Sequence, residues 1–360
     1  MKLPTINHLE PFFIYICNMK HTKFIFFLPV FFLLFCACDS TETAQKKTVN
    51  DTTTIKTPEE LNQLNSAIAA NPGDDVLYNK RAKYYYSTNN LTAGFQDIEK
   101  ALSLDSTKAE YYLTLSNFYF SANKTSNAKT ALEKCISLDE KNVGALLKLA
   151  ELYLYVTKYN KAIEYINKAL KIDMYNSSGY FMKGMCYKEL KDTAKAISSM
   201  QTAVEQDKQY YHAYMQLGIL CAAQKNRLAV DYYKNAIRIQ PKSIEAWYDL
   251  GKYYQDINDA DNAIETYKTL LKFDPDNKFV HHNMGVIYLT SLKLNEKAIE
   301  SFTNAINSDP KYVEAYYGRG LTYQTIGDKK NAIANFQSCL AITPDYELAQ
   351  VALKKLNKNK

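Results

Sequence analysis

A chain of 360 residues that is 47% apolar and 23% charged carries enough nonpolar side chain to bury a sizeable core, which excludes a disordered or collagen-like polymer. Only 11 Gly and 9 Pro stand against 30 Tyr, a balance that favours helix over turn-rich sheet. A formal charge of +6 neither demands nor excludes an anionic partner.

Residues 19–37 open with Met-Lys-His-Thr-Lys, continue as an unbroken apolar run over 24–35 and end in Cys36-Ala37 before Cys38. A helix over that run spans about 18 Å, well short of the ~30 Å hydrocarbon core, so a stable transmembrane helix is disfavoured. A basic start followed by a short apolar stretch is the pattern of an export signal. Leu34-Phe35-Cys36-Ala37-Cys38 resembles the bacterial lipobox, whose cysteine is diacylated and becomes the new N-terminus. The expectation is a signal peptide over 1–37, with 19–37 the true signal and 1–18 an extension or mis-called start, and lipidation at Cys38. An uncleaved signal anchor, or ordinary cleavage near Ala37 or Ser40, is the alternative. Residues 38–56, rich in Thr, Lys and Asp, have too little apolar surface to order themselves and read as a flexible tether.

Thr57-Pro58-Glu59-Glu60 supplies an N-cap, a first-turn proline and a capping-box glutamate, which predicts a capping helix over 57–72. Beyond it the chain repeats itself. Tyr85, Tyr119, Tyr153 and Tyr187 recur at intervals of 34 residues, and the series continues through Cys221, Tyr254, Tyr288 and Tyr323. Three residues before each lies a small side chain: Ala82, Ser116, Ala150, Gly184, Gly218, Gly251, Gly285, Gly320. A second small series runs from Gly94 through Ala128, Ala162 and onward to Ala332. Within 244–257, Trp247, Leu250, Gly251 and Tyr254 form one helical stripe, and Ala263, Tyr267 and Leu270 form the stripe facing it. Small residues let the two helices approach; no single pair buries both faces, so neighbours must stack.

Trp247-Tyr-Asp-Leu250-Gly251-Lys-Tyr-Tyr254, followed by Ala263, Tyr267, Leu270 and Pro275, is similar to the tetratricopeptide repeat pattern. The resemblance implies an all-α fold, an α-solenoid built as a right-handed superhelix of helix-turn-helix repeats. Eight repeats are expected over 75–344, at about 75–108, 109–142, 143–176, 177–210, 211–243, 244–277, 278–312 and 313–344. A C-terminal capping helix and Lys-rich tail follow over 345–360, with Leu348, Ala352 and Leu356 sharing one helix face and lysines turned outward. Arg81, Lys183 and Arg319 replace the family's usual Leu, their stems expected along the seam and their heads in water.

Neither G-x-x-x-x-G-K nor H-E-x-x-H occurs, the repeats leave no room for a catalytic domain, and no cofactor or metal is expected. His281 and His282 point about 100° apart on a helix and read as structural. Cys135, Cys186, Cys221 and Cys339 fall at helix-contact positions and read as small core residues, a Cys186–Cys221 disulfide being offset by one position. Outer charges alternate in sign, so no nucleic-acid groove is expected.

The resemblance places the second, fifth, ninth and twelfth residues of each first helix on a concave inner face. Leu113, Asn117 and Phe120 of repeat two, Leu147, Glu151 and Leu154 of repeat three, and Phe181 and Met185 of repeat four fall there. Met215 and Ile219 follow in repeat five, Tyr248 in repeat six, and Phe279, His282 and Val286 in repeat seven. The apolar members over repeats two to five are expected to form an exposed trough for an amphipathic helix or extended apolar segment, unless tight curvature makes them inner core. The chain is thus expected to be no enzyme but a lipid-anchored envelope scaffold that binds protein segments and assists assembly or localisation of a complex, with the membrane reached through the anchor. The alternative is a glycan- or polymer-binding subunit of a sensory or transport apparatus, using Tyr86, Tyr248 and Tyr317. Nothing in the sequence sets the oligomeric state.

Overall fold

The computed structural model describes residues 58–358; the signal, Cys38, the tether and Thr57 lie outside the described residues. Those described are helices joined by turns, with no strand among them. Helix α1 (Pro58–Ala70) precedes eight antiparallel pairs. These are α2 (Asp75–Ser87) with α3 (Leu91–Leu104), α4 (Ala109–Ser121) with α5 (Thr125–Leu138), α6 (Val143–Tyr155) with α7 (Tyr159–Ile172), and α8 (Ser177–Glu189) with α9 (Thr193–Gln206). The remaining pairs are α10 (Tyr211–Ala223) with α11 (Leu228–Ile239), α12 (Ile244–Asp256) with α13 (Ala260–Leu270), α14 (Lys278–Thr290) with α15 (Asn295–Ser308), and α16 (Val313–Thr325) with α17 (Lys329–Ile342). Helix α18 (Glu347–Lys358) closes the array.

Each first helix packs on its own second helix, and each second helix on the next first helix, which makes the molecule an α-solenoid. First helices also touch one another, as α2 with α4, α6 with α8, α10 with α12 and α14 with α16. The array therefore bends with the first helices on its inner side. Every pair turns through one residue of positive φ: Asn89, Asn123, Thr157, Lys191, Lys225, Asn258, Lys293 and Gly327. That left-handed step ends the first helix and reverses the chain. An aspartate turns the chain into several of the next units, its Oδ1 accepting the backbone N–H two residues on: Asp105 from Thr107 at 2.8 Å, Asp207 from Gln209 at 2.8 Å, and Asp309 from Lys311 at 2.9 Å.

The small residues mark the closest approaches. Ala82, Ser116 and Ala150 are fully buried, and a Cβ on Gly218 would meet the Tyr233 ring at 2.5–2.9 Å. Phe302, wholly buried, lies against Gly285 of its own pair and Gly318 of the next, so one ring seals two units. Burial of such a ring contributes about 3 kcal/mol.

Two of the basic substitutions differ from expectation. Arg81 does not leave its head in water: Nε and Nη2 donate to the two oxygens of Asp97 at 2.6 and 2.7 Å, and Nη1 donates to Asn65 Oδ1 at 2.8 Å. Arg319 repeats the arrangement on Asn335 at 2.8 Å and Thr303 at 3.0 Å. In both, the guanidinium spans the preceding second helix and its own, because a planar fork can satisfy two flanking acceptors at once.

The C-terminal helix also packs differently from the expected face. Ala349 and Ala352 are buried and Leu353 and Leu356 half-buried against α17, whereas Leu348 is 55% exposed. Helix α18 takes the register of a ninth first helix. Where the other first helices carry their large, small and tyrosine contacts it has Gln350, Lys354 and Asn357, all exposed, which gives this helix a polar outer face.

Candidate functional site

The inner face changes character along its length. Over α6, α8 and α10 the residues expected to line an open trough are buried: Leu147 and Leu154 at 6%, Glu151 at 8%, and Phe181, Met185 and Met215 at 2%. They form inner core rather than an exposed trough, because neighbouring side chains cover them, as the Tyr210 ring does Phe181 at 5.0 Å. Leu113, Asn117, Phe120 and Ile219 are half-buried beside them. The open apolar trough expected over repeats two to five is therefore absent from this stretch, and charge placed at Leu147 or Phe181 would be buried rather than displayed.

Inside this stretch sits an unusual polar group. Glu151 and Lys148 lie on one face of α6, and Lys148 Nζ stands 5.8 Å from the centre of the Phe120 ring. Burial pushes the Glu151 carboxyl up to about 7, the attraction of Lys148 drawing it back only in part, while burial pushes Lys148 down. Across the seam the Asn117 Oδ1 is buried without a donor, as is Asn79 Oδ1 in the first pair. Lys83, beside Asn79, is engaged by Glu110 of the next unit.

From α12 onward the same positions open outward. Tyr248, His282 and Val286 are half-buried, Phe279 is 50% exposed, and Tyr317 is half-buried one unit further. Leu348 and Val351, at 55% and 51%, extend the row onto α18. The rings are held by their neighbours: Asn283 Nδ2 donates to the hydroxyls of Tyr248 and Tyr267 at 3.2 Å, His282 lies 5.4 Å from Tyr312 and 5.6 Å from Phe302, and Tyr317 meets Tyr346 at 5.6 Å. Burial pushes His282 below the usual imidazole range, so its neutral form packs here. His281 instead uses Nε2 on the Pro275 carbonyl at 2.8 Å. The sequence reading places Leu348 on the packed face of the cap and does not single out Val351, since both follow the last full repeat.

Cys135, Cys186, Cys221 and Cys339 are buried free thiols, and burial raises each, Cys135 to about 11 and Cys186 and Cys339 to about 12. Among the described residues no three His, Cys, Asp or Glu side chains converge as a metal site, and no helix is long and apolar enough to cross a membrane. What this surface can do is hold a ligand against rings and aliphatic groups along the inner side of successive helices.

Comparison with known proteins agrees with this architecture. Residues 109–142, 143–174, 177–210, 244–277 and 313–356 match the family model described as tetratricopeptide repeat, and 289–327 a model described as TPR repeat. The general transcriptional corepressor ssn6 of Schizosaccharomyces pombe is 30% identical over 121 residues, 33% of this chain and 11% of that protein. The BBSome complex member BBS4 of Bos taurus is 31% identical over 109 residues, 30% of this chain and 21% of that one. The chain thus spans about a fifth or less of the length of these curated relatives. The C-terminal part of a TPR repeat-containing protein from Cytophaga hutchinsonii superposes with a TM-score of 0.60 at 20% identity, covering 67% of this chain and 99% of that one, a likeness of fold. With the repeat models matched over more than half of its length, the chain belongs to the tetratricopeptide repeat family.

Proposed function

We propose that this chain is a lipid-anchored scaffold of a bacterial cell envelope that holds a protein segment on the inner face of its repeat array and assists assembly or localisation of a protein complex. The observation that carries the binding role is the open inner face over α12 to α18, where Leu348 and Val351 stay exposed and Phe279, edge-on to Tyr312 at 5.7 Å, stays half exposed. A family whose repeats stack into extended inner surfaces supports a protein ligand, an amphipathic helix or an extended apolar segment. Of the tyrosines of the glycan alternative, Tyr86 of the first pair lies edge-on to Phe118 at 5.3 Å, away from the open stretch that holds Tyr248 and Tyr317.

The envelope role rests on the signal pattern over 19–37 and on Cys38. With Cys38 acylated, burial of its chains at about 0.8 kcal/mol per methylene makes attachment effectively permanent. In cells fed a fatty-acid probe, the parent chain is expected to be labelled and membrane-bound, and Cys38→Ser to lose label and appear in the soluble fraction. Membrane retention of both forms with neither labelled would contradict the anchor and favour an uncleaved signal.

A further inference from the structure

The open end of the inner face carries charge in a fixed register. At the second and fifth positions of successive first helices stand Glu245 and Tyr248 on α12, Phe279 and His282 on α14, Glu314 and Tyr317 on α16, and Leu348 and Val351 on α18. Members of each pair are three residues apart and share one helix face. Glu245 and Glu314 are exposed. Neither they nor Asp249, half-buried one turn beyond Glu245, has a cation within ion-pair distance among the described residues. The lysines on α12 and α14 are themselves paired, Lys252 with Asp256 and Lys278 with Asp309.

Lys278 also shows what the surface accepts. Its Nζ lies 5.1 Å from the centre of the Phe279 ring and 5.2 Å from that of Tyr312, with Asp309 at 2.5 Å, so an ammonium already sits between rings and a carboxylate here. At Glu245 with Tyr248, and at Glu314 with Tyr317 and Tyr346, a carboxylate and rings recur without the cation.

We propose that the inner face from α12 to α18 recognises a basic amphipathic protein segment, whose Lys or Arg heads meet Glu245 and Glu314 while its apolar side lies on Tyr248, Tyr317, Leu348 and Val351. This deepens the protein-binding role above and rests on it. The complementary charge selects the partner's sign and orientation, and the apolar row supplies the contact area. Glu245 and Glu314 are two first helices apart, roughly 20 Å at ordinary helix spacing, which sets basic residues about 14 apart, four turns along one face, in a helical partner or about 6 apart in an extended one.

The test uses the purified full chain and a labelled 20-residue amphipathic Leu/Lys peptide with lysines spaced 14 apart, read by fluorescence anisotropy beside its Leu/Glu counterpart. The Leu/Lys peptide is expected to bind and the Leu/Glu peptide not to. Glu245→Lys with Glu314→Lys should weaken binding at least tenfold, whereas Glu205→Lys with Glu296→Lys, the same charge change on second helices, should leave it within twofold. Equal losses from both double variants, or equal binding of both peptides, would overturn the proposal. If Val351→Asp and Tyr317→Ala weaken binding but the Glu245 and Glu314 changes do not, basic recognition fails while the inner-face role stands. If neither set matters, both fail.

Discussion

Gly251→Ala is expected to destabilise the array by about 1–3 kcal/mol, although alanine is the better helix former by about 1 kcal/mol. Gly251 is buried in α12 against the wholly buried Tyr267 of α13, and an added Cβ would overlap the ring, with Cδ1 at 2.7 Å and Cζ at 3.0 Å. The ring cannot swing away, because Asn283 donates to its hydroxyl at 3.2 Å and the next unit closes over it. Gly144→Ala is the control: its nearest neighbours stand at 3.5 Å, an ordinary contact, so the change should be neutral or slightly stabilising. Urea unfolding followed by circular dichroism separates the two. A Gly251→Ala chain as stable as the parent would show that the helices of this pair are not in the contact described.

Glu151→Gln is expected to stabilise the protein at pH 8 and to have little effect near pH 4.5. Burial raises the folded-state carboxyl from its ordinary 4.5 to about 7, so the folded chain holds the proton more tightly than the unfolded one. Stability from this group is therefore present below about 4.5 and lost as pH rises through about 7, on the order of 3 kcal/mol when complete. Glutamine, which never ionises, removes that loss. Asp249, raised to about 7 by burial and by Glu245 beside it, adds a slope of the same sign that the variant leaves in place. The quantity to read is the difference between variant and parent unfolding free energies from pH 4.5 to 8. A difference that does not grow with pH would mean that Glu151 is solvated.

The period of the fold was legible because packing repeats with it: small residues such as Gly218 and Gly251 recur wherever a first helix meets the ring or aliphatic group of its second helix. The register of the inner face was legible for the same reason, but its exposure was not. Whether Leu147 or Phe181 faces a ligand or is covered depends on side chains that neighbouring units bring over it, such as Tyr210 over Phe181, which no single repeat encodes. Arg81 was misjudged on similar grounds, since its acceptors Asp97 and Asn65 lie 16 residues to either side and meet it only when three helices stack. Leu348 and Val351 lay beyond the last complete repeat, yet their places in α18 match those of Phe279 and His282 in α14, so extending the register one helix further would have found them.

The central claim, that the inner face holds a protein partner, is tested most directly by photo-cross-linking in cells with a benzophenone side chain placed at Tyr317 or Val351 on the inner row, or at exposed Gln337 on second helix α17. Cross-linked protein of defined mass is predicted from the two inner positions and not from Gln337. Adducts from Gln337 alone, or none from either inner position in cells where the chain is folded and abundant, would contradict it.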